Sequence, residues 1–323
     1  CIRDSNNTAV GYQAGYSTTT GNIDAFGYGA LYSNTTGLEN AAFGGVALYA
    51  NTTGNANVAV GKFALRYNTT ASNNTAVGYQ AGYSNTTGAN NSAFGYRAAY
   101  LGSTANSILA LGAYSLYNNT ASNNTGVGVE ALYSNTSGAD NAAFGSAALY
   151  TNTTGSYNVA IGSGHTGTYY SALGLNTTGS RNTAVGTGAS EQNTTGSYNV
   201  SLGYAALAKN TTASYNTAVG YQAAYTNTTG PKITAVGYQA AKLLNNGGPN
   251  FGDTMVGYNS GASVSTGIDN TFIGGQAGGP TTTGSNNVAV GSAALYSNTT
   301  ASNNTAVGYQ AGYSNTTGTD LCA

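Results

Sequence analysis

A triplet of a small residue, an apolar residue and glycine returns along the whole chain: Ala9-Val10-Gly11, Ala25-Phe26-Gly27, Ala42-Phe43-Gly44, Ala59-Val60-Gly61, Ala76-Val77-Gly78. Its glycines fall at 11, 27, 44, 61, 78, 95, 112, 128, 145, 162, 174, 186, 203, 220, 237, 257, 274, 291 and 308, with a usual step of 17 residues. Three residues after that glycine comes Ala at 15 of the 19 marks, and five after it Tyr at 11. One unit reads NTAVGYQAGYSNTTGAN, residues 74–90.

Seventeen residues are too few for a helix pair, which needs about 33 or 34. They suit one coil of a β-roll or β-helix. The spacing therefore predicts an all-β parallel β-solenoid of about nineteen rungs, one repetitive domain over residues 1–323. Each rung is expected to hold two short strands, one centred on residues 75–79 and one near residues 80–83, with an Asn-Thr-Thr-Gly turn between rungs. Val77 and Ala81 are the expected interior ladder, because alternate strand residues face opposite sides. One rung cannot cover its own apolar side, so neighbours must. At about 4.8 Å per rung, nineteen rungs make a rod on the order of 90 Å long.

Two places break the period. Between Gly162 and Gly186 the steps are 12 and 12, which means shortened coils or a misplaced mark at Gly174; between Gly237 and Gly257 the step is 20 and holds Asn246-Gly247-Gly248-Pro249, a bulging loop. His165, the single histidine, lies in the first. With no Cys, His or acidic cluster in the sequence near it, His165 is expected to be structural, and no metal or cofactor site is expected.

Only 5% of residues are charged, against roughly 25% in ordinary domains. A net charge of -1 gives no field to attract nucleic acid. No apolar run is long enough for a membrane-spanning helix. Disorder is excluded by the fixed positions of the apolar residues, which make up 40% of the chain. Hydroxyls are abundant, yet no activating base sits at a catalytic spacing, and no phosphate-binding loop is present, so an enzyme is not expected.

Cys1 and Cys322 would lie at opposite ends of such a rod, too far apart for one disulfide, whose Cα atoms must approach to about 4.4–6.8 Å. Bonds between chains, free thiols or a lipid on Cys1 remain, with an intermolecular disulfide favoured. N-x-[ST] acceptors recur on the turns at Asn34, Asn51, Asn68, Asn85, Asn118, Asn135, Asn152, Asn176, Asn193, Asn210, Asn227, Asn298 and Asn315. They are either N-glycosylation sites, aligned in a stripe, or simply good turn chemistry.

The unit NNTAVGYQAGYSNTTG, repeated from Thr8 to Gly318, resembles the repeats of trimeric autotransporter adhesin heads and related bacterial or phage fibre proteins. That resemblance implies a secreted or cell-surface rod, often a parallel trimer. Because the repeat fills the chain with no visible cap, a head-to-tail polymer is expected in preference to a trimer: a structural subunit of an extracellular fibre. The alternative is a cell-surface or phage-fibre adhesin that stacks carbohydrate on Tyr and Asn faces.

Overall fold

The structure, a computed structural model, describes residues 6–164, 171–247 and 252–323. Chain contacts divide it into two compact units, Cys1–Tyr157 and Asn158–Ala323. Each is a parallel β-solenoid with nine strands among the described residues, one per rung.

In the first unit these are β1 Thr8–Val10, β2 Ile23–Phe26, β3 Asn40–Phe43, β4 Val58–Val60, β5 Thr75–Val77, β6 Ser92–Phe94, β7 Leu109–Leu111, β8 Thr125–Val127 and β9 Ala142–Phe144. In the second they are β10 Val159–Ile161, β11 Thr183–Val185, β12 Val200–Leu202, β13 Thr217–Val219, β14 Thr234–Val236, β15 Thr254–Val256, β16 Thr271–Ile273, β17 Val288–Val290 and β18 Thr305–Val307. Register is one to one: Thr75, Ala76 and Val77 pair with Ser92, Ala93 and Phe94.

The all-β solenoid read from the period is therefore present. Its wall differs from the expected two strands. After Val77 the chain passes through Gly78 at φ 138° and then two left-handed residues, Gln80 at 57° and Gly82 at 60°. The segment at 80–83 is thus a string of corners. It still bonds to its neighbours as a strand would, with Leu65 N–H donating to Ala81 O (3.0 Å) and Gly82 N–H to Ala98 O (2.9 Å). A left-handed non-glycine costs about 1–3 kcal/mol, and these rung-to-rung bonds are what hold it.

The core also corrects the expected ladder. Ala81 is fully buried, but its strand partner inside is Ala76, and Val77 points outward. A three-residue strand has one inward residue, and here it is the middle one. The interior is built from that alanine, the alanine three after the glycine and the following leucine: Ala42, Ala47 and Leu48 in the β3 rung, Ala289, Ala294 and Leu295 in the β17 rung, all inaccessible. Where the strand alanine becomes Met255 or Phe272, the leucine becomes Gly261 or Gly278, and a Cβ at either glycine would collide with the larger side chain. Volume is conserved across the rung.

The two irregular steps resolve differently. Val159, Ala160 and Ile161 pair directly with Thr183, Ala184 and Val185, so a single long rung joins Gly162 to Gly186. Gly174 follows Leu173 in a turn, at the place other rungs give to Tyr, and was a misplaced mark. His165, Gly248 and Pro249 lie outside the described residues. Across the 20-residue step the ladder is intact, Thr234 pairing with Thr254.

The glycine closing each strand is required by contact as well as by φ. Gly61 sits at φ 128°, and a Cβ there would meet Gly78 O at 2.6 Å and Gly78 C at 2.8 Å. Gly61→Ala is expected to lower stability by at least about 1–3 kcal/mol from its backbone conformation alone, read as a drop in the thermal midpoint. An unchanged midpoint would show that adjacent rungs are not this close.

Candidate functional site

Repetition turns each side-chain position into a column. Two columns of asparagine run through the interior. In the first, Asn51 Nδ2 donates to Asn34 Oδ1 (2.8 Å) and to Gly54 O (3.0 Å), and Asn68 and Asn85 repeat the pattern. Asn119, Asn135 and Asn152 continue it in the same unit, and Asn176, Asn193, Asn210 and Asn227 form it in the second. In the second column Asn57 N–H donates to Asn40 Oδ1 (3.0 Å), and Asn57 Nδ2 reaches Ala71 O (2.9 Å). The same arrangement links Asn270, Asn287 and Asn304. Buried amides bonded on both sides are stabilising, whereas one left unpaired would cost about 1–3 kcal/mol.

This placement bears directly on the sequons. Asn34, Asn51, Asn68, Asn135, Asn152, Asn176, Asn193, Asn210, Asn227 and Asn298 are inaccessible, and Asn85 is 3% exposed. Their Nδ2 atoms are already committed inside the wall, so a glycan there is incompatible with the fold. Asn118 and Asn315 are half-buried. The ladder residue in the shorter β7 rung is Asn119, one place beyond the sequon asparagine. The acceptors that do face solvent are Asn6 and, each left-handed on a corner, Asn73, Asn90, Asn123 and Asn303.

Outside, the first Thr of each turn donates to the next rung, as Thr52 Oγ1 does to Thr69 O (3.1 Å). Tyrosines five after the glycine stack like coins: Tyr83, Tyr100, Tyr117, Tyr133 and Tyr150 have centroids 5.0–5.2 Å apart with planes within 11°. A second kind of column, one after the glycine, holds Tyr204, Tyr221, Tyr238 and Tyr258 at 5.2–5.4 Å. The ring faces within each stack are used by neighbouring rings. What the stack presents to solvent is ring edges and hydroxyls. The outward strand face carries a half-exposed apolar column that includes Phe43, Val60, Leu111 and Phe144 in the first unit, and Ile161, Leu202 and Ile273 in the second.

Sequence reasoning missed two buried carboxyls. Asp253 takes an asparagine's place in the second interior column and is inaccessible. It accepts from Asn270 N (2.9 Å) and from Asn246 Nδ2 in a short bond. Burial pushes it up to about 6; the Asn270 and Asn246 bonds oppose this, and Asp269 adds to it. Glu191 stands where other rungs have Tyr, and burial pushes it up to about 7. Only alignment of the interior columns marks either. Among the described residues no group of three or more His, Cys, Asp or Glu could hold a metal. Cys322 is an exposed free thiol, and Cys1 lies outside the described residues. No helix is long and apolar enough to cross a membrane among the described residues.

No protein-family model matches the chain, and no curated protein matches it.

Two outcomes follow from the interior columns. The folded form binds the Asp253 proton more tightly than the unfolded chain does, so the contribution of this group is fully present below about pH 4 and is lost as pH rises through about 6. Two pKa units correspond to about 3 kcal/mol at most, and Asp253→Asn should flatten that part of a plot of melting temperature against pH. A variant with the unaltered slope would place the proton elsewhere. Separately, chain made in a glycosylating host should carry sugar only at solvent-facing acceptors such as Asn73 and Asn90. Glycopeptide mapping that finds folded protein modified at Asn51 or Asn193 would contradict the interior column.

Proposed function

We propose that this chain is a structural subunit of an extracellular fibre and not an enzyme. The observation that carries the reading is that each rung spends its bonding capacity on the rungs beside it: backbone, buried Asn amides, Thr hydroxyls and Tyr rings all bond along the stack. Pulling along such a stack loads many parallel hydrogen bonds in each interface together. A rung of one copy set on a rung of another would meet the same bonding pattern, which supports end-to-end growth. Placement outside the cell rests on the resemblance of the repeat unit to adhesin heads and phage fibres.

The half-exposed apolar column favours a second mode, copies lying side by side. Phe43, Val60, Leu111 and Phe144 are 37–46% exposed, and a matching column of another copy would cover them. The adhesin reading draws less support than the stacked tyrosines first suggest. Sugars bind aromatic faces, and within the coin stacks those faces are taken.

Negative-stain electron microscopy of the purified chain should show filaments of uniform width; compact monomers alone would dismiss the fibre. Electrophoresis with and without reductant tests the covalent link. A dimer or ladder that collapses on reduction supports pairing through Cys322 and Cys1, and identical monomer bands remove it.

A further inference from the structure

The column of tyrosines five after the glycine is interrupted at several rungs of the second unit, and one interruption opens a cavity. Between Tyr225 and Tyr296 the column holds Lys242, Ala262 and Gly279. Tyr296 stacks on Tyr313 at 5.2 Å with planes 5° apart, so one ring face is covered from that side. The rung on its other side supplies Gly279, which has no ring to cover the opposite face. The space left is an open groove of ≈ 240 Å³, and Tyr296 forms part of its wall.

The rest of the lining is uncharged and mixed: Ala262, Gly279 and Pro280 are apolar, and Gln239, Asn259, Ser263 and Gln276 are polar. Gln239, Asn259 and Gln276 occupy the same left-handed corner of three successive rungs, at φ 52°, 52° and 58°. Their backbones bond rung to rung, Asn259 N to Tyr238 O (2.9 Å) and Gln276 N to Tyr258 O (2.7 Å), which holds the three amides in a row. Asn259 Oδ1 is buried without a hydrogen-bond partner. Ser263 adds a hydroxyl to the lining. These rungs also carry the Met255–Gly261 and Phe272–Gly278 exchanges, so they depart from the repeat inside and outside together.

We propose that this groove binds one ring of an uncharged saccharide. An aromatic face accepts the C–H side of a pyranose, and a row of amides, each both donor and acceptor, matches neighbouring hydroxyls. A charged ligand would have no ionic partner in the lining. The ring takes the position that the repeat elsewhere gives to a tyrosine, between the uncovered face of Tyr296 and the row of corner amides. The site stands apart from the fibre reading, since a chain that formed no filaments would still hold the sugar.

The test is titration of the full chain with glucose, galactose, mannose, N-acetylglucosamine and their disaccharides, followed by NMR of the tyrosine ring signals, with tyrosinamide as a control probe. At least one saccharide should shift the Tyr296 signals saturably. Ala262→Tyr, which restores the repeat residue and fills the groove, should abolish the shift while keeping the thermal midpoint. Tyr296→Leu should weaken binding at least tenfold, and Tyr83→Leu, in a stack of the first unit, should leave it unchanged. The proposal fails if no saccharide in the panel shifts Tyr296, or if Ala262→Tyr binds as the parent does. It also fails if tyrosinamide alone occupies the groove, which would make it a socket for an aromatic side chain of another polypeptide.

Discussion

Everything in this fold depends on one-to-one parallel register. Because Ala76 lies on Ala93 and Asn51 on Asn34, an interior asparagine finds its partner at the same position one rung away wherever the column is unbroken. That is why so much amide can be buried in walls with so little apolar bulk: alanine and leucine fill the space, and the asparagines are satisfied by their own copies. A slip of one residue would turn every alanine out and set unlike groups against each other, so all the columns fail together. The closing glycines belong to the same constraint, since only a residue without Cβ lets backbones at that corner stack directly.

The period, the all-β class and the parallel stacking were legible in the sequence because they depend on spacing alone. What faces inward was not. The strand is only three residues long, so Val77 and Ala76 are equally good candidates by alternation, and hydrophobicity favours Val77. The structure selects the smaller, because the interior beside it is already filled: Leu65 of the preceding rung packs against Gly82, where a Cβ would meet its Cδ2 at 2.9 Å. The second strand was misjudged for a related reason: Gln80 has no local feature that announces φ 57°, a conformation imposed by its neighbours in the stack.

The asparagines show the same limit most clearly. Asn-Thr-Thr reads equally as a solvent-facing turn or as a sugar acceptor, and polar residues are ordinarily found outside. Burial of Asn51 becomes intelligible only when Asn34 and Asn68 are seen above and below it. At Asp253 one oxygen in place of an amide nitrogen converts a self-satisfying column into one that holds a proton up to about pH 6. The groove beside Tyr296 was hidden in the same way, since a missing tyrosine is visible only against the column it interrupts.

Sixteen residues separate Leu109 from Thr125, twenty separate Thr234 from Thr254, and twenty-four separate Val159 from Thr183, yet each pair is matched without a shift. Differences in rung length therefore leave the strand ladder unshifted. A gene encoding such a protein can gain or lose whole units by unequal recombination, or acquire a decorated corner by small insertion, and the product remains foldable at every stage.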